Sequence, residues 1–206
     1  MKRKKLWWLP LAVVLVLMVA LVVGIRGWMR RTYERQHAME AWRGVKRYAE
    51  LTNKLGDAPI VLPEETELGL ADDVVYELLM DGPEDDRHAV GYSATGTVAA
   101  QDEEPYRQTV EGGPRDLLGA PAGNVLSEYR GAEIHSRRIF LQVSVDGKTR
   151  REVITAIELD GYIYRASITY YTLDITPEAL QAQEDVLEQK NVQLLQKIVD
   201  QYMDQP

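Results

Sequence analysis

The sequence predicts an α+β domain behind a membrane anchor, and three observations carry that expectation. Residues 6–25 form an apolar run without a single charge. Residues 137–172 contain stretches in which apolar and polar side chains alternate, the period of a strand with one buried face. From residue 180 to residue 202 apolar side chains return every three to four positions, the spacing of an amphipathic helix. The expected architecture is an N-terminal transmembrane helix, then an antiparallel sheet with a C-terminal three-strand meander. A long C-terminal helix and a juxtamembrane helix would pack on that sheet.

Twenty residues rising ~1.5 Å each cover a hydrocarbon core of ~30 Å. Trp7 and Trp8 flank the run on one side and Trp28 on the other, where amphipathic rings settle among headgroups. Pro10 falls in the first turn, where its missing N–H costs little. A cleaved signal peptide needs a shorter core and a small-x-small site; here Gly24, Ile25, Arg26 and Gly27 follow. The chain has no cysteine, which excludes a lipoprotein anchor, disulfides and thiolate chemistry. Lys2, Arg3, Lys4 and Lys5 precede the run, whereas Arg26, Arg30, Arg31, Arg35 and Arg43 follow it. The flanking charges nearly balance, and the short basic start favours a cytoplasmic N-terminus with an extracytoplasmic domain. The expected division is a basic tail over 1–5, the membrane helix over 6–25, a stalk over 26–56 and a soluble domain over 57–206.

Residues 32–206 hold 17 basic and 32 acidic groups, a net charge of −15. A surface of that sign repels phosphate backbones, so nucleic acid is not an expected partner. The membrane, through residues 6–25, and an envelope protein are the expected partners.

Residues 32–55 read as a proline-free helix closed by Gly56 with Pro59 beyond, a C-terminal stop signal. Residues 59–63 suggest a short extended piece, residues 73–80 a strand or helical turns, and residues 89–100 a strand. Residues 101–123 contain consecutive acids, prolines and glycines and read as irregular loop. Strands are expected over 137–145, 152–159 and 162–172. Asp160-Gly161 suits a two-residue type I′ turn. It sets Leu159 opposite Tyr162, Ile157 opposite Tyr164, Thr155 opposite Ala166 and Val153 opposite Ile168, which brings both apolar sets to one face. The same turn at Asp146-Gly147 would oppose Val143 to Arg150. A loop of three or five residues avoids this and brings Ile139, Leu141, Val143 and Val145 onto the face of Val153. Thr176, Pro177 and Glu178 then open a helix whose stripe holds Leu180, Leu187, Leu194, Leu195, Ile198 and Tyr202.

The succession of Asp160-Gly161-Tyr162-Ile163-Tyr164, a strand ending Tyr170-Tyr171-Thr172, and a helix finishing Ile198-Val199-Asp200-Gln201-Tyr202 resembles the end of Mog1/PsbP-like domains. The likeness covers about the last seventy residues and rests on pattern. It implies an antiparallel sheet flanked by helices, acting in binding or assembly. With its anchor, the chain also resembles small membrane-anchored extracytoplasmic proteins of Gram-positive bacteria.

No catalytic constellation is legible, and no cofactor or metal is expected. His37, His88 and His135 are far apart in sequence and lack ligand spacing. The segment from Gly91 to Gly96 has the end glycines of a phosphate loop but continues with Thr97, where a lysine is required. Acidic runs near Asp81 and Asp102 lack the alternation of a calcium loop. Tyrosine is abundant, with eleven against one phenylalanine. Tyr162, Tyr164 and Tyr170 on the core face, with Asn191 close to the helix stripe, are the candidate ligand contacts. The functional expectation is a non-catalytic binding or assembly module. The alternatives are an envelope enzyme with an unrecognised site and a pilin-like subunit.

Overall fold

The computed structural model describes residues 41–204, apart from residues 57, 84–85, 99–104, 144–146 and 174–175. Its strands are β1 (Trp42–Val45), β2 (Asp72–Asp81), β3 (His88–Val98), β4 (Tyr106–Pro114), β5 (Asn124–Tyr129), β6 (Ala132–Val143), β7 (Thr149–Leu159) and β8 (Tyr162–Thr172). They form one sheet in the order β1-β2-β3-β4-β8-β7-β6-β5, and every neighbouring pair is antiparallel. Among the described residues four helices accompany the sheet: α1 (Tyr48–Leu55), single turns α2 (Glu65–Leu68) and α3 (Arg115–Leu118), and the long α4 (Pro177–Met203).

The expected fold class is corrected. The domain is mostly β, one eight-stranded antiparallel sheet carrying one long helix. Among the described residues no helix is long and apolar enough to cross a membrane. The transmembrane helix expected over residues 6–25 lies outside those residues, as does His37. The juxtamembrane helix is also corrected: Trp42–Val45 is an edge strand paired with β2, and of the described residues in that stretch Tyr48–Leu55 is helical. Gly44, a poor helix former, sits in that strand. Arg47 is extended, and the Glu50 carboxylate accepts the Lys46 amide at 3.2 Å, which starts α1 here. Gly56 ends it as expected, with φ +51 and its N–H on the Thr52 carbonyl.

The largest miss is the presumed loop over 101–123, from which β4 emerges as a central strand between β3 and β8. Its glycines mislead because they look like turn residues. A Cβ on Gly112 would stand 2.6 Å from the Tyr92 ring, and one on Gly91 would stand 2.4 Å from the Gly112 carbonyl oxygen. These glycines let a buried ring and a neighbouring backbone approach the strand.

The final hairpin follows its sequence. Asp160 and Gly161 both have positive φ, and all four expected pairs occur. The preceding loop has the odd length anticipated, since Val143 pairs with Thr149. However, a bulge between Phe140 and Gln142 shifts the register of β6, so Arg138 pairs with Val153 and Ile139 with Glu152. Arg138 and Phe140, rather than Ile139, therefore share the face of Val153.

One face of the sheet carries the core. Leu51 and Leu55 of α1 pack with Tyr76, Leu78 and Tyr92, while Leu195, Ile198 and Val199 of α4 join Ile134, Ile157 and Tyr164 in the same cluster. The Thr176 hydroxyl accepts the Ala179 amide and Pro177 opens α4. The opposite face is largely polar. There the Thr95 and Thr109 hydroxyls meet at 2.9 Å and Arg165 pairs with Glu111 at 3.0 Å.

Candidate functional site

β5 covers only part of β6. Their pairing runs from Tyr129 opposite Ala132 to Asn124 opposite Ser136 and stops there. Residues 137–143 of β6 pair with β7 on one side and with no described strand on the other. The backbone itself forces the departure of β5. Gly123 has φ +105, and a Cβ on it would stand 2.1 Å from the Ser136 carbonyl oxygen, so no other residue fits as the chain leaves β6. The lane that β5 vacates opens from a groove of about 660 Å³, whose walls include Gly123, Val125, Ser136, Arg137, Arg138 and Glu188.

Side chains along this lane are unusually apolar for an edge. Phe140, the only phenylalanine of the chain, is 56% exposed, and Leu141, Val125 and Leu126 are exposed with it. The Arg151 guanidinium lies 5.6 Å from the centre of the Phe140 ring, a cation–π contact.

The bulge that redirects β6 also puts Arg138 under the first half of α4. Its guanidinium reaches Asp185 at 2.6 Å, Glu188 at 2.7 Å and Glu184 at 3.5 Å. Glu188 also accepts the Ser136 hydroxyl, and Glu184 accepts the Tyr170 phenol at 2.8 Å and Arg151 at 3.4 Å. The carboxylates raise the basicity of Arg138, with Glu188 contributing most. The Tyr170 phenol is pushed up by burial and then by its bond to Glu184. Glu184 and Glu188 are buried, and these partners satisfy them. The cluster fastens α4 to β6, β7 and β8 and forms one wall of the lane.

The sequence candidates are dispersed. Tyr162, Tyr164 and Tyr170 do share the core face, but the first and the last stand eight steps apart along the strand, roughly 26 Å. Tyr164 is fully buried; its hydroxyl accepts the Val61 amide at 3.0 Å, and burial lifts its pKa to about 12. Tyr162 is partly buried at the margin of the core. Asn191 is fully buried and donates to the Val153 carbonyl at 3.1 Å, a join between helix and sheet. Tyr170 lines a cavity of about 180 Å³ with Tyr106, Tyr171 and Leu187. That volume is below the range of pockets for metabolites and close to the space of one aromatic ring.

Ser136 bonds a glutamate held by Arg138, and a carboxylate already neutralised by a guanidinium is a poor base for a nucleophile. His135 sits on the opposite face, 3.6 Å from Glu133, and His88 is exposed at the start of β3. Among the described residues no group of three or more acids and histidines is arranged to hold a metal ion.

The residues that shape this lane, Gly123, Arg137, Arg138 and Phe140, were absent from the sequence candidates. Arg137-Arg138 followed at once by Ile139-Phe140-Leu141 was the available signal, since it sets the chain's one phenylalanine beside paired charges. No protein-family model, curated protein or solved structure matches the chain.

Proposed function

We propose that the chain is a membrane-anchored, extracytoplasmic binding or assembly module. It takes an extended segment of an envelope protein as an added strand along the free half of β6. The observation that carries this reading is the seven-residue overhang of β6 beside an open groove. The outward N–H and C=O groups of such an edge are a template for another strand. Main-chain hydrogen bonds would supply affinity, and burial of Phe140 and Leu141 would add apolar area at about 25 cal/mol per Å². The apolar run over residues 6–25 and its basic start support the anchor and the orientation. Tethering raises the effective concentration of the lane for partners at the same membrane. Neither the enzyme nor the pilin-like alternative is favoured by an observation in the described residues.

The test is a photo-crosslinking residue placed in the full chain in cells, at position 140 or at position 43 on the opposite edge. The expected result is a discrete protein adduct in the membrane fraction from position 140 and none from position 43. Equal yields from both positions, or a full-length chain that partitions into the aqueous fraction, would contradict the reading.

A further inference from the structure

The free lane of β6 is closed at one end by the chain itself. Asn124 pairs with Ser136, so Gly123 takes the place beside Arg137, and a Cβ on it would stand 3.0 Å from the Arg137 Cβ. No second chain can pair there. The open positions run from Arg138 to Val143, and β7 lies on their other side. A segment laid antiparallel to β6 runs in the direction of β5, enters beside Val143 and meets Ile139 before it comes up against Gly123. A chain that continues past this point has to turn out of the sheet, whereas a chain that ends here fits as it is. The groove of about 660 Å³ opens at this closed end, between Gly123, Ser136, Arg137 and Glu188. Its two arginines differ in what they meet. Arg138 projects to the α4 face, where Asp185, Glu188 and Glu184 surround it. Arg137 projects to the other face, since it pairs with Ile154 while Val153 and Thr155 lie in the core. It is exposed and has no acidic partner among the described residues.

We propose that the lane takes the C-terminal end of its partner and that Arg137 binds the terminal carboxylate; this rests on the strand-addition reading above. The last residue of the partner stands opposite Ile139, which shares a face with Arg137 two positions away. Its carboxylate then points along the strand toward Gly123. Diagonal neighbours on one face of an antiparallel pair are ~7–8 Å apart, within reach of a long side chain. Arg137 therefore answers the charge from the side, and no residue of the partner has to stand opposite it. A planar guanidinium matches a carboxylate with two parallel hydrogen bonds. The α4 acids nearest this end, Asp185 and Glu188, are each held by Arg138, at 2.6 and 2.7 Å, which offsets their repulsion. An internal segment brings no carboxylate to Arg137 and has to leave the sheet before Gly123.

Fluorescence anisotropy of peptides labelled at the N-terminus, on the full chain in detergent, tests the terminus. The probes are Thr-Val-Thr-Val-Thr-Val as the free acid, the same peptide as its C-terminal amide, and the free acid lengthened at its C-terminus by Gly-Ser-Gly-Ser. The first binds wild type about fivefold more tightly than either other peptide, and its margin over the amide narrows as salt is added. In Arg137→Gln the acid and the amide bind alike at an unchanged melting temperature, and Arg137→Lys keeps part of the margin. Equal binding of acid and amide by wild type overturns recognition of the terminus and leaves strand addition standing. A lengthened peptide that binds as tightly as the first also overturns it, since the lane is then not closed at Gly123. A margin that survives in Arg137→Gln overturns the role of that residue. Binding of none of the peptides overturns both the proposal and strand addition.

Discussion

At one border of the sheet β1 is four residues long, and the part of β2 that extends past it begins with Asp72 and Asp73. Asp73 has φ +51, and the β2–β3 register shifts beside it. At the other border the part of β6 that extends past β5 is seven residues long and carries Ile139, Phe140 and Leu141 at its centre. The first border shows the usual devices against unwanted pairing: a short strand, charge and an irregular backbone. The second has arginines and a bulge as well, but the bulge turns Arg138 inward to the helix and leaves the apolar centre uncovered. An edge blunted on one side and open on the other is the asymmetry on which the proposed strand addition rests.

The exit of β5 is most vulnerable at Gly123. Gly123→Val puts a Cβ against the Ser136 carbonyl in a left-handed conformation, and about 2–4 kcal/mol of stability should be lost in urea unfolding. The loss should come with faster amide exchange in β5, and an unchanged midpoint would show that β5 does not depend on this exit.

A change belonging to neither border serves as a reference. Tyr164→Phe strands the buried Val61 amide and should cost about 1–3 kcal/mol at neutral pH. The phenol's pKa is raised to about 12 in the folded chain from an ordinary value of 10.0. The folded state therefore keeps the proton longer than the unfolded state, and its stability contribution is intact below pH 10 and falls as pH rises toward 12. Melting curves of Tyr164→Phe should show a flatter decline over that window than wild type.

Smaller effects separate the edges themselves. Phe140→Lys should change stability by less than about 0.5 kcal/mol, because the ring is largely exposed, yet lower affinity for an extended peptide of alternating threonine and valine about tenfold or more. Asp72→Val, the matching change on the β2 border, should leave peptide affinity unaltered. If it weakens binding as much as Phe140→Lys does, the asymmetry between the edges is not what governs recognition.

How much of this was legible depends on whether local pattern and tertiary use agree. Asp160-Gly161 demands positive φ and the apolar sets on either side share one parity, so the last hairpin was readable to the residue. The start of α4 was readable for the same reason, since Thr176, Pro177 and Glu178 each favour a helix N-terminus. β4 was not, because Gly112 and Gly113 mimic a turn and only the position of Tyr92 explains them. β5 was missed because its side chains are nearly all exposed. The lane depends on both of these facts and on the bulge at Leu141, which no alternation can reveal. A strand with Arg138 inside and Ile139 outside contradicts the binary pattern until the acids of α4 are in place. The candidate tyrosines were correctly assigned to one face, but a shared face does not bring positions at opposite ends of a strand into one pocket.

Hydrogen–deuterium exchange of the full chain, with and without the threonine–valine peptide, reads the free edge of β6 itself. The outward amides of residues 137–143 should exchange quickly in the free protein and slow about tenfold or more on binding, while residues 72–75 stay unchanged. Protection that appears on α4, on the outer sheet face or at residues 72–75, with residues 137–143 unaffected, would contradict the account.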